Sequence, residues 1–214
     1  RPRPMTYTPA DFAAEFDVSR ETFSRLEAYD ACLLDWSARH NLIARSTIED
    51  RWNRHFRDSA QIFALVPKSA RHLLDLGSGA GFPGLVLAAM GAPDLQVTLV
   101  DSIGKKAAFL TAAAEAMGLT NVRVVPARIE SLKVKKPDVI TARALASLLK
   151  LCGHAYEIGG ETTLCLFPKG QDVEVELTEA AKYWHMAVER RASLTSPGST
   201  ILMIDKLRPK RPQR

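Results

Sequence analysis

Three glycines, Gly77, Gly79 and Gly81, stand in the stretch LLDLGSGAGFPGLVLA (73–88), between one apolar run and another. A turn so rich in glycine lets a ligand approach the backbone closely. The spacing is GxGxG. A dinucleotide fingerprint needs GxxG at its end, which would put glycine at position 82, where the chain has Phe82. A P-loop needs Gly-Lys-Ser/Thr, and no lysine follows here. Both phosphate-binding spacings fail. Asp101 closes the run LQVTLVDS, and a carboxylate at the end of a second strand can accept hydrogen bonds from both hydroxyls of a ribose. A nucleoside without a phosphate at that position fits S-adenosylmethionine. A nicotinamide dinucleotide and a tight turn with no ligand are the competing readings. Asp75 can face the ligand's ammonium or cap the turn. In the turn Pro126–Glu130, Ile129 can flank an adenine while its backbone or that of Glu130 meets the exocyclic amine; a merely solvated Glu130 explains the sequence equally well.

These residues need a scaffold that brings strand ends together. From His72 onward, apolar β-type runs alternate with helical patterns. Strands are predicted at His72–Leu76, Leu95–Asp101, Val122–Val125, Asp138–Thr141 and Thr162–Phe167. Helices are predicted at Pro83–Met90, Lys105–Met117, Leu145–Tyr156 and Val173–Lys182. Such alternation predicts a doubly wound α/β fold, Rossmann-like, with a mostly parallel sheet. Trp184–Arg190 and Thr200–Lys206, flanking Ser196-Pro197-Gly198, predict a C-terminal antiparallel hairpin. Ahead of the sheet, Ser19–His40 carries apolar residues at helical spacing with Ser19 as its cap, and a second helix is predicted over Ile48–Leu65. The organisation expected is a small N-terminal helical extension (1–66), a methyltransferase-type domain (67–206) and a basic tail (207–214).

The chain has 214 residues, 46% hydrophobic and 25% charged, which suits one such domain plus an extension. No apolar stretch is long enough to span a bilayer, and no run of signal-peptide type opens the chain. Three cysteines without a CxxC pair fit a reducing cytoplasm and neither a disulfide framework nor a metal site. The net charge of +5 is uneven: Arg1, Arg3, Lys206, Arg208, Lys210, Arg211 and Arg214 lie at the two ends, and the body between them is slightly acidic. Nucleic-acid binding therefore has to rest on local clusters. Arg51, Arg54 and Arg57, with His55 beside them, recur every three residues on the second predicted helix; composition alone favours a solvated face.

Several stretches together carry a more specific signal: RHFRDSA (54–60), DLGSGAGFPG (75–84), DSIGKKAAFL (101–110), ARIES (127–131), ARALASL (142–148) and PKGQ (168–171). With these the chain resembles the glucose-inhibited division protein B family, bacterial class I methyltransferases that modify guanine N7 in 16S ribosomal RNA. The resemblance implies a cytoplasmic S-adenosylmethionine-dependent enzyme acting on the 530 loop, as a monomer, with no metal. It implies cofactor contacts at Gly77, Ser78, Gly79, Phe82, Asp101, Ile129 and Glu130, with Arg143 at the reactive end as the catalytic residue. It turns Arg54, His55 and Arg57 into RNA-facing residues, joined by Lys105, Lys106 and Lys169. Arg143 can hold guanine O6 or a phosphate; a structural ion pair is the alternative. Guanine N7 carries a lone pair and no proton, so no general base is required. The chain has neither the [DN]PP[FYW] stretch of exocyclic-amine methyltransferases nor a Pro-Cys nucleophile. A methyltransferase acting on a small molecule or protein, and a non-catalytic ribosome-assembly factor, are the other functions compatible with the residues.

Overall fold

The computed structural model describes residues 6–211. Seven strands form one sheet: β1 (His72–Leu76), β2 (Gln96–Val100), β3 (Val122–Val125), β4 (Val139–Ala142), β5 (Leu164–Lys169), β6 (Trp184–Ala192) and β7 (Thr200–Pro209). Their order is β3-β2-β1-β4-β5-β7-β6, parallel except for β7, which runs antiparallel to β5 and β6. Helices α4 (Gly84–Gly91), α5 (Gly104–Ala116), α6 (Leu148–Gly159) and α7 (Val173–Ala181) cover its faces. The inner strands serve two cores by alternation. Leu73, Val97, Leu99, Val139 and Leu166 join one cluster with α4 and α5; Leu74, Leu76, Val100, Ile140 and Phe167 join the other with α6 and α7.

The N-terminal extension is part of the first core. Phe12, Leu26, Tyr29, Leu33, Trp52 and Phe56 are buried in the same cluster as Leu85, Leu99 and Phe109. Its first helix, α1 (Pro9–Phe16), has no counterpart among the helices expected from spacing. Thr8 caps it: Asp11 N donates to Thr8 Oγ1 at 3.1 Å and Thr8 N donates to Asp11 Oδ2 at 2.7 Å, with proline in the first turn. Helix α2 (Arg20–Ser37) is capped by Ser19 as expected.

The single helix expected over Ile48–Leu65 is corrected. A 3₁₀ turn at Arg45–Thr47 is followed by a π-helical stretch, Trp52–Arg57, then by α3 (Asp58–Ala60) and a second 3₁₀ turn, Phe63–Leu65. The wider π turn keeps Trp52 and Phe56 in the core, stacked at 4.1 Å between ring centroids. The arginines here meet different neighbours: Arg51 pairs with Asp30 and Arg57 with Glu15, while Arg54 is exposed. The C-terminal hairpin is present, and β7 continues through Leu207–Pro209, so the expected tail begins inside a strand. Arg1, Arg3 and Arg214 lie outside the described residues.

Candidate functional site

Strand register gathers the site. Leu76 lies beside Val100 on one side and Ala142 on the other. The residues that follow, Gly77, Asp101 and Arg143, therefore leave the sheet together at the carboxyl ends of its parallel strands. Between β1 and β4 the chain order reverses, the place where open α/β sheets hold ligands.

A cleft of about 510 Å³ opens there, within the range of small-molecule sites. Gly77, Asp101, Lys106, Ile129, Glu130 and Leu145 are on its wall. Gly77 has a left-handed φ of +65°, a conformation that favours glycine, and a Cβ on it would meet only the end of the exposed Leu145 side chain. Asp101 is nearly buried. Its Oδ2 accepts from Gly79 N at 2.8 Å and its Oδ1 from Ile103 N at 2.9 Å, which ties the glycine turn to the start of α5. Each carboxylate oxygen has a second lone-pair site, so acceptor capacity remains for ribose hydroxyls.

Other expected cofactor residues support the turn from beneath. Ser78 is buried, with its N donating to Val100 O at 2.9 Å and its Oγ to Asp75 O at 3.0 Å. Phe82 is 3% exposed and sits in an aromatic layer with Tyr29, His55 and Phe56, away from the cleft wall. The Tyr29 hydroxyl, fully buried, donates to Ala80 O, so α2 braces the turn from below. Asp75 is also fully buried. It does not face the cleft: Oδ1 accepts from Thr141 Oγ1 at 2.7 Å. Burial raises its carboxyl to about 6.

A second cleft, about 390 Å³, lies across Ala144, which lines both. Ala144 has a φ of +50°, a strained conformation for a residue with a Cβ. Arg54, Asp58, Arg143, Lys169, Ser193 and Thr195 line this second space. Arg143 Nη1 donates to Asp58 Oδ2 at 3.3 Å and Nη2 to His55 Nδ1 at 3.2 Å, with the guanidinium carbon 5.3 Å from the Phe82 ring centroid. His55 is partly buried, and that burial, with Arg143 and Arg54 close by, pushes its imidazole down to about 3.

The remaining basic residues divide by partner. Arg51 binds both carboxylate oxygens of Asp30 on α2. Arg57 grips Glu15 on α1 and donates to Leu194 O at 3.2 Å. Lys169 donates to Glu176 Oε1 and Ala146 O, both at 3.0 Å, and its side chain is 10% exposed. Arg54 and Lys105 are exposed, and Lys106 reaches the first cleft. Sequence reasoning missed Asp58, Ala144 and Leu145 as site residues. Asp58 was visible in RHFRDSA and the other two in ARALASL, but nothing local shows that these segments meet. Among the described residues, no helix is long and apolar enough to cross a membrane.

Sheet order, an antiparallel final strand pair and a nucleoside-sized cleft over β1, β2 and β3 define the class I S-adenosylmethionine-dependent methyltransferase fold. Solved structures agree on the fold. A methyltransferase from Aquifex aeolicus matches with a TM-score of 0.58 at 14% identity, covering 82% of this chain and 97% of that one. TYW2 from M. jannaschii in complex with AdoMet matches with 0.54 at 13% identity, covering 79% of this chain and 78% of that one. The model of the family rRNA small subunit methyltransferase G (GidB) matches residues 22–201, and the chain belongs to that family. The ribosomal RNA small subunit methyltransferase G of Rhodospirillum rubrum is 50% identical over 202 residues, covering 94% of this chain and 98% of that protein. That of Rhodospirillum centenum is 47% identical over 208 residues, covering 96% and 94%.

Proposed function

We propose that this chain methylates N7 of a guanine in the 530 loop of 16S ribosomal RNA, using S-adenosylmethionine, in the cytoplasm. The observation that carries the proposal is the pair of clefts meeting at Ala144, one suited to a nucleoside and the other walled by Arg54 and Arg143. The first cleft's chemistry fits the cofactor: Asp101 for the ribose, Ile129 and the backbone around Glu130 for the adenine, and a bare Gly77 where the backbone must come close. Bound there, S-adenosylmethionine supplies an activated sulfonium methyl group. Guanine N7 carries a lone pair and no proton, so the methyl group would be accepted without any general base from the chain.

The protein's task is alignment and exclusion of water. Arg143 presents donors suited to guanine O6 or to a neighbouring phosphate. Asp58 pairs with it and offsets its charge, which limits repulsion between the guanidinium and a base that N7 methylation makes positive. Arg54, Lys105 and Lys106 meet the RNA backbone. The test incubates labelled S-adenosylmethionine with small subunits from cells lacking this protein, and with naked 16S RNA in parallel. Label recovered as 7-methylguanosine supports the proposal, and the better substrate tells whether RNA alone is read. Label in another base, or none while the cofactor still binds, overturns it.

A further inference from the structure

We propose that His55 is a positioning residue: its unprotonated Nδ1 fixes the guanidinium of Arg143 at the second cleft, and the imidazole itself does not contact RNA. The proposal rests on the methyltransferase reading only in assigning Arg143 to the reaction. It departs from the role the sequence suggested for His55.

Donor and acceptor roles assign the tautomer. An arginine side chain only donates, so Nδ1, 3.2 Å from Arg143 Nη2, must carry a lone pair. The ring proton of the neutral imidazole is then on Nε2, 2.8 Å from Thr47 Oγ1. Thr47 can accept it, because its own hydroxyl donates to Ala44 O at 2.7 Å. The relay has one consistent direction: Arg143 to His55, His55 to Thr47, Thr47 to the backbone. Stacking on Phe82, 5.1 Å between centroids with planes 25° apart, fixes the ring plane.

Arg143 is thereby held from two further sides. Asp58 accepts from its Nη1 and is in turn fixed by Thr195 Oγ1 at 2.6 Å and Gln61 Nε2 at 3.1 Å. The Phe82 ring lies against the guanidinium. The charged groups facing His55 are Arg143 and Arg54, with Asp58 beyond the guanidinium. Two cations and burial keep the imidazole neutral, the only form with an acceptor at Nδ1. A protonated His55 would turn a donor toward a donor.

The experiment compares His55→Phe, which keeps a partly buried ring but removes both nitrogens, with His55→Asn, whose amide oxygen falls near the Nδ1 position. Each is measured for kcat, RNA affinity with its salt dependence, cofactor affinity and thermal unfolding. Expected for His55→Phe is a fall in kcat of about tenfold or more with RNA affinity within about twofold of wild type. His55→Asn should recover part of kcat. In an Arg143→Lys background His55→Phe should cost less than about twofold more, because residues acting through one another are not additive. Nitrogen NMR of the wild-type protein should show His55 as the Nε2–H tautomer, neutral down to about pH 5. Weaker RNA binding with a shallower salt slope and kcat intact would overturn the proposal, as would additive losses, an Nδ1–H tautomer or an imidazolium near pH 6. If wild-type protein methylates no RNA, the functional reading fails, and the tautomer still decides whether His55 holds Arg143.

Discussion

Asp75 and His55 are displaced in opposite directions by the same cause, burial that disfavours the charged form. The consequences for stability have opposite signs. His55 binds a proton more readily in the unfolded chain, so stability declines as pH falls from its ordinary range near 6.5 toward 3. Asp75 binds a proton more readily in the folded chain, so its contribution is full below its ordinary value near 3.8 and is lost as pH rises through 6. Thermal unfolding between pH 7.5 and pH 4.5 separates them: His55→Phe should reduce the loss of Tm on acidification, and Asp75→Asn should enlarge it. Arg143→Ala belongs to the same scale. Transfer should drop by about 10²-fold or more while the cofactor dissociation constant stays within about twofold, because the guanidinium lines the second cleft and not the first. Turnover at the wild-type rate in that variant would remove Arg143 from the reaction. Asp101 and Gly77 were legible as single residues, since spacing alone singled them out. The double duty of Asp101, holding the glycine turn while facing the cleft, was not, because Gly79 and Ile103 approach it only in three dimensions.

Among the elements, the glycine turn depends on α2. Tyr29 is buried to its hydroxyl and donates to Ala80 O within the turn. Tyr29→Phe leaves a buried carbonyl without that partner, at a cost of about 1–3 kcal/mol. A lowered Tm together with weaker S-adenosylmethionine binding is the expected pair of results; a lowered Tm alone would show that the turn holds its shape without the brace. The strands and the helices flanking them were legible because short β-type apolar runs alternate with longer helix-forming stretches, separated by glycine, proline and polar turn residues. Residues Ile48–Leu65 were not. Their periodicity reads as one α-helix, yet the aromatic layer of Trp52, Phe56, Phe82 and Tyr29 and the ion pairs of Arg51 and Arg57 accompany a π-helical stretch between two 3₁₀ turns. Tertiary contacts of this kind override a local period.

Across the whole molecule, charge is sorted by what it meets. Arg51 and Arg57 lie in ion pairs away from both clefts, Arg143 and Lys169 lie in ion pairs on the wall of the second, and Arg54 and Lys106 line the clefts with Lys105 exposed beside them. Neutralising the latter three to Gln should reduce the salt slope of RNA binding by about 0.7–0.9 for each phosphate no longer neutralised. Neutralising Arg51 and Arg57 instead should lower Tm and leave the slope close to wild type. A slope unchanged in the first variant would place the RNA elsewhere. The extension, the carboxyl end of β4 and the C-terminal hairpin converge here: Asp58, Arg143 and Thr195 come from three separate parts of the chain and form one hydrogen-bonded group.

The doubly wound sheet, the glycine turn, the carboxylate at the end of β2 and the family were all readable along the chain, because each is written in local spacing or in contiguous motifs. Three things became apparent in the folded molecule alone: which basic residues stay available to a ligand and which are tied down, that the extension shares the core of the sheet, and that His55 turns a lone pair toward Arg143. Hydrogen-bond direction and ion pairing depend on residues that are distant in the chain and adjacent in space, and the spacing of side chains along a sequence carries no record of them.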